Sequence, residues 1–210
     1  MIYTTLNKIK KYNPCKKRWI MLLHKLKKTK ADDEPLAFIT ILDLMGLNDT
    51  LWALRSAPEY NKEWKLYAVW CAKQIQHLMT DPRSINMLDV AEKYANGKAT
   101  LKELTVAKTV AETVAETVLQ TVAACTVGAA SKAVVQTVTW VVCAVEAAET
   151  AEAVPWTVGM TVEPVGAVSW AVIETAAWAV KAAETVSGET ARAAQEVELR
   201  RVITIGGKNE

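Results

Sequence analysis

Few side chains here suit covalent or metal chemistry, and their spacing keeps them apart. The imidazoles are His24 and His77; the thiols are Cys15, Cys71, Cys125 and Cys143. Zinc sites gather Cys and His at short, regular spacings, and no such pair occurs, so no metal is expected. Nucleophilic catalysis needs a hydroxyl or thiol beside a general base. Cys71 and His77 stand six apart, which on one helix turns them about 120° from each other. No Gly-x-Ser-x-Gly elbow is present, nor a Walker loop, a Rossmann glycine fingerprint or a His-Glu-x-x-His pair. The carboxylates Asp32-Asp33-Glu34 and Glu146/Glu149 fit a polar loop and a solvated helix face. This inventory points away from an enzyme and toward binding without a cofactor.

Three groupings have the chemistry of binding. Trp70, Gln74 and His77 follow an i, i+4, i+7 stripe, and Thr80-Asp81-Pro82-Arg83-Ser84 comes directly after. His77, Arg83 and Arg55 would there hold an anion or a partner's carboxylate; the competing reading is a buried helix–loop junction with Asp81 as its cap. Trp140, Trp156, Trp170 and Trp178 punctuate a background of Ala, Val and Thr. Such a face makes a slot where a flat ring stacks, or else the indoles fill gaps between slim helices. The third grouping is a basic arm: Lys8, Lys10, Lys11, Lys16, Lys17, Arg18, Lys25, Lys27, Lys28 and Lys30, with no acid in the first thirty residues. It suits phosphates on nucleic acid, anionic lipid or an anionic ligand. Alternatively it is a solvated face complementing the acidic second half, since residues 1–100 carry net +7 and residues 101–210 net −5.

The elements that must position these groups are helices. The chain has 210 residues, 51% of them hydrophobic, with only 8 Gly and 6 Pro, which excludes a disordered tail, a collagen-like repeat or a disulfide-stapled miniprotein. The cysteines read as reduced, mostly buried residues of a cytoplasmic protein. The apolar run Trp19–Leu23 is too short for a signal peptide. The uncharged runs 117–131 and 133–145 are too short for a membrane span.

Pro14 predicts a helix to about Thr29, Pro35 a second that Gly46 caps, and Asp49 a short one over Leu51–Ser56. A long helix follows from Glu59 to Met79. Asp81 and Pro82 open another, which reaches Tyr94 before Asn96-Gly97 stops it. Thr100-Leu-Lys-Glu103 is a capping box.

Beyond it Thr105-Val-Ala-Lys, Thr109-Val-Ala-Glu, Thr113-Val-Ala-Glu and Thr117-Val-Leu-Gln form tetrads that wind slowly round a 3.6-residue helix. Val and Thr favour strands, and Val134–Cys143 alone passes for one; dense Ala and helical Glu spacings decide for helix. Gly128, Pro155, Gly159, Pro164, Gly166 and Gly188 mark breaks, with residues 154–167 the least defined stretch. A final helix spans about Glu189 to Val202. The expectation is an all-α protein: a compact helical region over 1–99 and an Ala/Val/Thr-rich helical array over 100–210, packed as one unit.

Leu51-Trp-Ala-Leu-Arg55, Val69-Trp-Cys-Ala-Lys-Gln-Ile-Gln-His-Leu-Met-Thr-Asp-Pro-Arg-Ser84 and Leu88-Asp-Val-Ala-Glu-Lys-Tyr-Ala-Asn-Gly97 resemble an immunity-protein-like family of bacteria and bacteriophages. Its members join W-C-x-x-Q-x-x-H-L-x-T-D-x-R-S to A-E-x-Y-A-x-G-x-A-T-x-E-E-L and then to a long Ala-rich helical tail. The resemblance covers roughly residues 48–125, and the tail only by composition; relatives carry Ala, Arg, Asp and Trp where this chain has Thr and Val. It implies an all-helical fold and a phage or bacterial conflict setting, and it does not imply an enzyme.

The first expectation is therefore a non-catalytic, homo-oligomeric binder that sequesters a nucleotide-derived immune signal, with a base buried against Trp and phosphate against Arg or Lys; Trp140, Trp156, Trp170, Trp178, Arg55, His77 and Arg83 are the candidate ligand-binding residues. The alternatives are an immunity factor blocking a toxin or defence protein, and a nucleic-acid or membrane-surface binder acting through the basic arm.

Overall fold

The computed structural model describes residues 1–79, 81–110, 113, 136–140, 143, 164–183 and 188–206. The fold is mostly helical, as expected of an all-α chain. Strand β1 (Tyr3–Thr4) pairs antiparallel with β2 (Leu36–Ala37), Tyr3 opposite Ala37 and Thr4 opposite Leu36. Between them lie α1 (Leu6–Lys10), whose first turn Thr5 caps by accepting the Lys8 N–H at 3.1 Å, and α2 (Lys16–Lys25). β1, α1 and β2 are too short to show a hydrophobic period, and nothing in the sequence reading places them.

α2 is shorter than predicted. Asn13 takes a left-handed backbone (φ 49), so the helix starts at Lys16, beyond Pro14. At its other end Lys27 is left-handed (φ 54) and the Lys28 N–H reaches back to the Leu23 carbonyl at 2.9 Å, a Schellman closure. α3 (Phe38–Met45) begins after Pro35 because Leu36 and Ala37 are held in the strand pair. Gly46 (φ 81) closes it as predicted, its N–H on the Leu42 carbonyl at 2.9 Å.

α4 (Leu47–Ala53) follows at once, so Asp49 sits in its first turn and is not its cap. Two 3-10 turns, Leu54–Ser56 and Pro58–Tyr60, lead to α5 (Asn61–Lys73). The predicted helix to Met79 ends six residues early. The chain tightens into a 3-10 turn over Gln76–Leu78, burying Ile75 and Met79 on either side of it. α6 (Pro82–Ala95) opens on the Asp81 cap and closes at Gly97 (φ 70), where the Lys98 N–H meets the Lys93 carbonyl at 2.7 Å.

The capping box is present: the Thr100 N–H donates to Glu103 Oε2 at 2.7 Å, the Glu103 N–H to Thr100 Oγ1 at 3.3 Å, and residues 101–110 are helical. Residues 136–140 and 143 are helical too, within the stretch that alone passes for a strand. The remaining elements are α7 (Pro164–Ala183) and α8 (Gly188–Ile205). Gly166, expected to break a helix, lies inside α7. One glycine costs a helix about 1 kcal/mol against alanine, which the packing of a long helix outweighs. The breaks expected at Gly128, Pro155 and Gly159 lie outside the described residues.

Threonine hydroxyls show how a β-favouring composition is held helical. Thr105, Thr109, Thr113, Thr175 and Thr204 each donate to the carbonyl four residues back, at 2.8 to 3.1 Å. The hydroxyl is satisfied within its own helix, so Thr175 is fully buried without an orphaned polar atom.

That matters at the centre of the fold. α5 contributes Trp64, Tyr67, Ala68, Cys71 and Ala72 to the core, and α7 lays Ala171, Val172, Thr175, Ala176 and Ala179 there. The i, i+4, i+8 spacing of these small residues makes a flat face that a neighbouring helix approaches closely. The contact between α5 and α7 is the most extensive between described elements.

Residues of both halves form one hydrophobic cluster. The Tyr67 hydroxyl donates to the Gln195 carbonyl at 3.2 Å, and the buried Gln195 amide donates to the Ala176 carbonyl at 2.9 Å, so α5, α7 and α8 are tied by polar contacts too. Ile2 is clasped from two sides, its N–H on Ile203 and its carbonyl accepting from Phe38.

Candidate functional site

The three residues expected to hold an anion each have a different setting. Arg55, in the turn after α4, stacks on the Trp52 ring with its guanidinium carbon 4.4 Å from the centroid, and its Nε donates to the Trp52 carbonyl at 2.8 Å. Its Nη2 is buried without a hydrogen-bond partner among the described residues, and burial pushes its pKa down. His77 is exposed on the Gln76–Leu78 turn, off the helix that carries Trp70. Arg83 is bidentate to Asp81, with Nε–Oδ1 at 3.0 Å and Nη2–Oδ2 at 2.8 Å. The Arg83 side chain, first among the causes, and its backbone N–H hold the Asp81 carboxyl below its usual range. The end of α5 at Lys73 breaks the stripe that the sequence suggested.

Of the late tryptophans, Trp140 and Trp178 are half-buried and packed against the core, with the Lys181 ammonium 4.9 Å from the Trp178 centroid. That is the gap-filling role of an indole beside small residues. Trp170 lies in α7, but its side chain, like the whole of Trp156, falls outside the described residues.

The basic arm is where exposed chemistry collects. Four of its ten bases are engaged with described residues. Lys8 meets Glu59 at 3.0 Å, and Arg18 forms a two-point pair with Asp49. Lys25 donates to the Leu44 carbonyl, and Lys28 bridges Asp32 at 2.5 Å and Glu34 at 2.6 Å. These carboxylates raise the pKa of Arg18 and of Lys28.

Lys10, Lys11, Lys16, Lys17, Lys27 and Lys30 are exposed and have no ion pair with a described residue. Four of these six flank one short turn, Tyr12–Cys15, between α1 and α2. Beside them Asn7, Lys8, Lys10, Lys11 and Asp33 line a shallow cleft of about 440 Å³. Asn7 donates to Asp33 there at 2.8 Å, which draws that carboxylate to one wall. Cys15 stands at the same turn, exposed, and the backbone N–H groups of Arg18 and Lys17 hold its thiol below the usual range.

Sequence reading found this arm, but not which of its charges are spent internally. The partners Asp49 and Glu59 lie 31 and 51 residues away. Cys71 contrasts with Cys15: it is fully buried beneath Tyr67, and burial pushes its thiol up to about 12. Among the described residues no three His, Cys, Asp or Glu side chains gather to hold a metal, and no helix is long and apolar enough to cross a membrane. The chain matches no protein-family model, and comparison with curated proteins and with solved structures finds no match.

Proposed function

We propose that this protein is a non-catalytic binder of nucleic-acid phosphates, acting through the exposed lysines of α1, α2 and the turns beside them. One observation carries the reading: six exposed lysines of the first thirty residues lack a carboxylate partner among the described residues, and four of them flank a single turn. Uncompensated ammonium groups on one face raise the local potential and draw polyanions, and neutralised phosphates release their condensed counterions. Lysine is a point charge without arginine's fork, so binding is expected to track the backbone and not the base sequence.

A membrane surface is less well served by the same region. An interfacial helix must offer its apolar side to lipid, whereas Trp19, Leu22, Leu23 and Leu26 of the α2 region pack on the core and Ile20 alone among its large apolar residues is exposed. A polyanion binder also fits the phage–bacterium conflict that the family resemblance implies.

Fluorescence anisotropy with a labelled mixed-sequence DNA duplex, a single-stranded RNA and anionic lipid vesicles at low salt tests the proposal. Saturable binding to nucleic acid, little affected by sequence, supports it. Binding to vesicles alone, or to none of the three, refutes it.

A further inference from the structure

A groove of about 570 Å³ runs between α6 and helical residues 101–110. Only five residues connect the two helices, and both line the groove along their length, so they run back past one another as an αα-hairpin. Val90 of α6 and Val106 and Val110 of the second helix are among its lining residues. The last two are 58% and 38% exposed, on a helix that also buries Leu104 fully. The volume lies within the range of small-molecule sites.

Three charged residues stand along these walls. Arg83 is already bidentate to Asp81. Glu103 is drawn into its cap by the Thr100 N–H and hydroxyl, both at 2.7 Å. Lys102 is exposed and has no ion pair among the described residues. Among the described residues the groove thus offers an aliphatic wall without an aromatic ring, and one available ammonium.

We infer that this groove binds an aliphatic carboxylate, its hydrocarbon chain along Val90, Val106 and Val110 and its carboxylate on Lys102. A valine wall selects an alkyl chain over a flat ring, which would gain nothing from stacking. The ammonium selects an acid over the alcohol of equal length. From Arg83 to Val90 the α6 wall extends about 10 Å at 1.5 Å per residue, which sets the useful chain length at that of a medium-chain fatty acid.

Calorimetric titration of the full chain with hexanoate, octanoate, decanoate and their corresponding alcohols tests this. Affinity is expected to rise about fourfold per methylene until the groove is filled. Lys102→Ala is expected to weaken octanoate about tenfold and leave octanol unchanged, and Val106→Asp to abolish both. Both positions are exposed, so the variants are expected to keep the parent circular dichroism. Absence of binding by every chain length overturns the inference, as does octanoate binding that Val106→Asp leaves intact. A concentration-dependent dimer lost in Val106→Asp, with no acid bound, overturns it in favour of a second copy of the chain.

Discussion

Salt dependence gives the exposed lysines a quantitative test. If Lys10, Lys11, Lys16, Lys17, Lys27 and Lys30 each neutralise one phosphate of duplex DNA, log K falls against log salt with a slope of about −5. Raising salt from about 50 to about 200 mM then costs roughly three orders of magnitude in affinity. Replacing Lys10, Lys11, Lys16 and Lys17 together by Ala leaves two contacts and a slope of about −2, so the same change in salt costs roughly tenfold.

The double variant Lys8→Ala/Glu59→Ala is the matched control. It removes an ammonium that already has its carboxylate at 3.0 Å, and it leaves the net charge unchanged. Its slope is expected to equal the parent's. The assay is anisotropy of a labelled duplex at five salt concentrations, with thermal melts showing each variant as stable as the parent, since exposed substitutions of this kind usually cost less than about 0.5 kcal/mol. A parent slope shallower than about −2 would refute the reasoning. So would a fourfold variant that keeps the parent's slope, because the unpaired lysines would then not be the groups that meet phosphate.

Tyr67→Phe removes the hydroxyl that joins α5 to the Gln195 carbonyl; urea melts should show a loss of about 1 kcal/mol with an unchanged m-value. Leu199→Ala, at a fully buried position on α8, is expected to cost about 2 to 5 kcal/mol and to lower the melting temperature of the whole chain in one transition, because both halves share a core. With a thiol reagent at neutral pH, Cys15 should react quickly and Cys71 only on unfolding, as followed by mass spectrometry. Stability is expected to fall above about pH 9, where the unfolded Cys71 thiol ionises while burial holds the folded one protonated up to about 12. Within that window the loss is about 1.4 kcal/mol per pH unit for one proton, and Cys71→Ala should flatten it in pH-resolved urea melts.

Local chemistry made much of the fold legible. The Asp81-Pro82 opening, the Asn96-Gly97 stop, the Thr100–Glu103 capping box and the Gly46 closure each depend on residues within a few positions of one another, and the structure places all four. Helix lengths were read less well. α2 and α5 both end early, the first at a left-handed Lys27 and the second where Ile75 turns into the core, and neither residue type announces such a turn. The strand pair was invisible because two residues carry no period.

The candidate site divides along the same line. A run of ten bases without an acid is a property of sequence, as are the capping signals and the dense alanine that make the chain helical. Which of those bases stay available is not, because Lys8 and Arg18 find their carboxylates on Glu59 and Asp49, far along the chain. The stripe from Trp70 to His77 likewise required an unbroken helix, and Trp178 and Trp140 were open to stacking only until the core claimed them. Short-range hydrogen bonding and helix propensity belong to the sequence and act wherever the chain goes. Charge pairing and burial depend on which distant elements meet: α1 and α2 beside Glu59 and Asp49 set the pairing, and the packing of α5 against α7 and α8 set much of the burial.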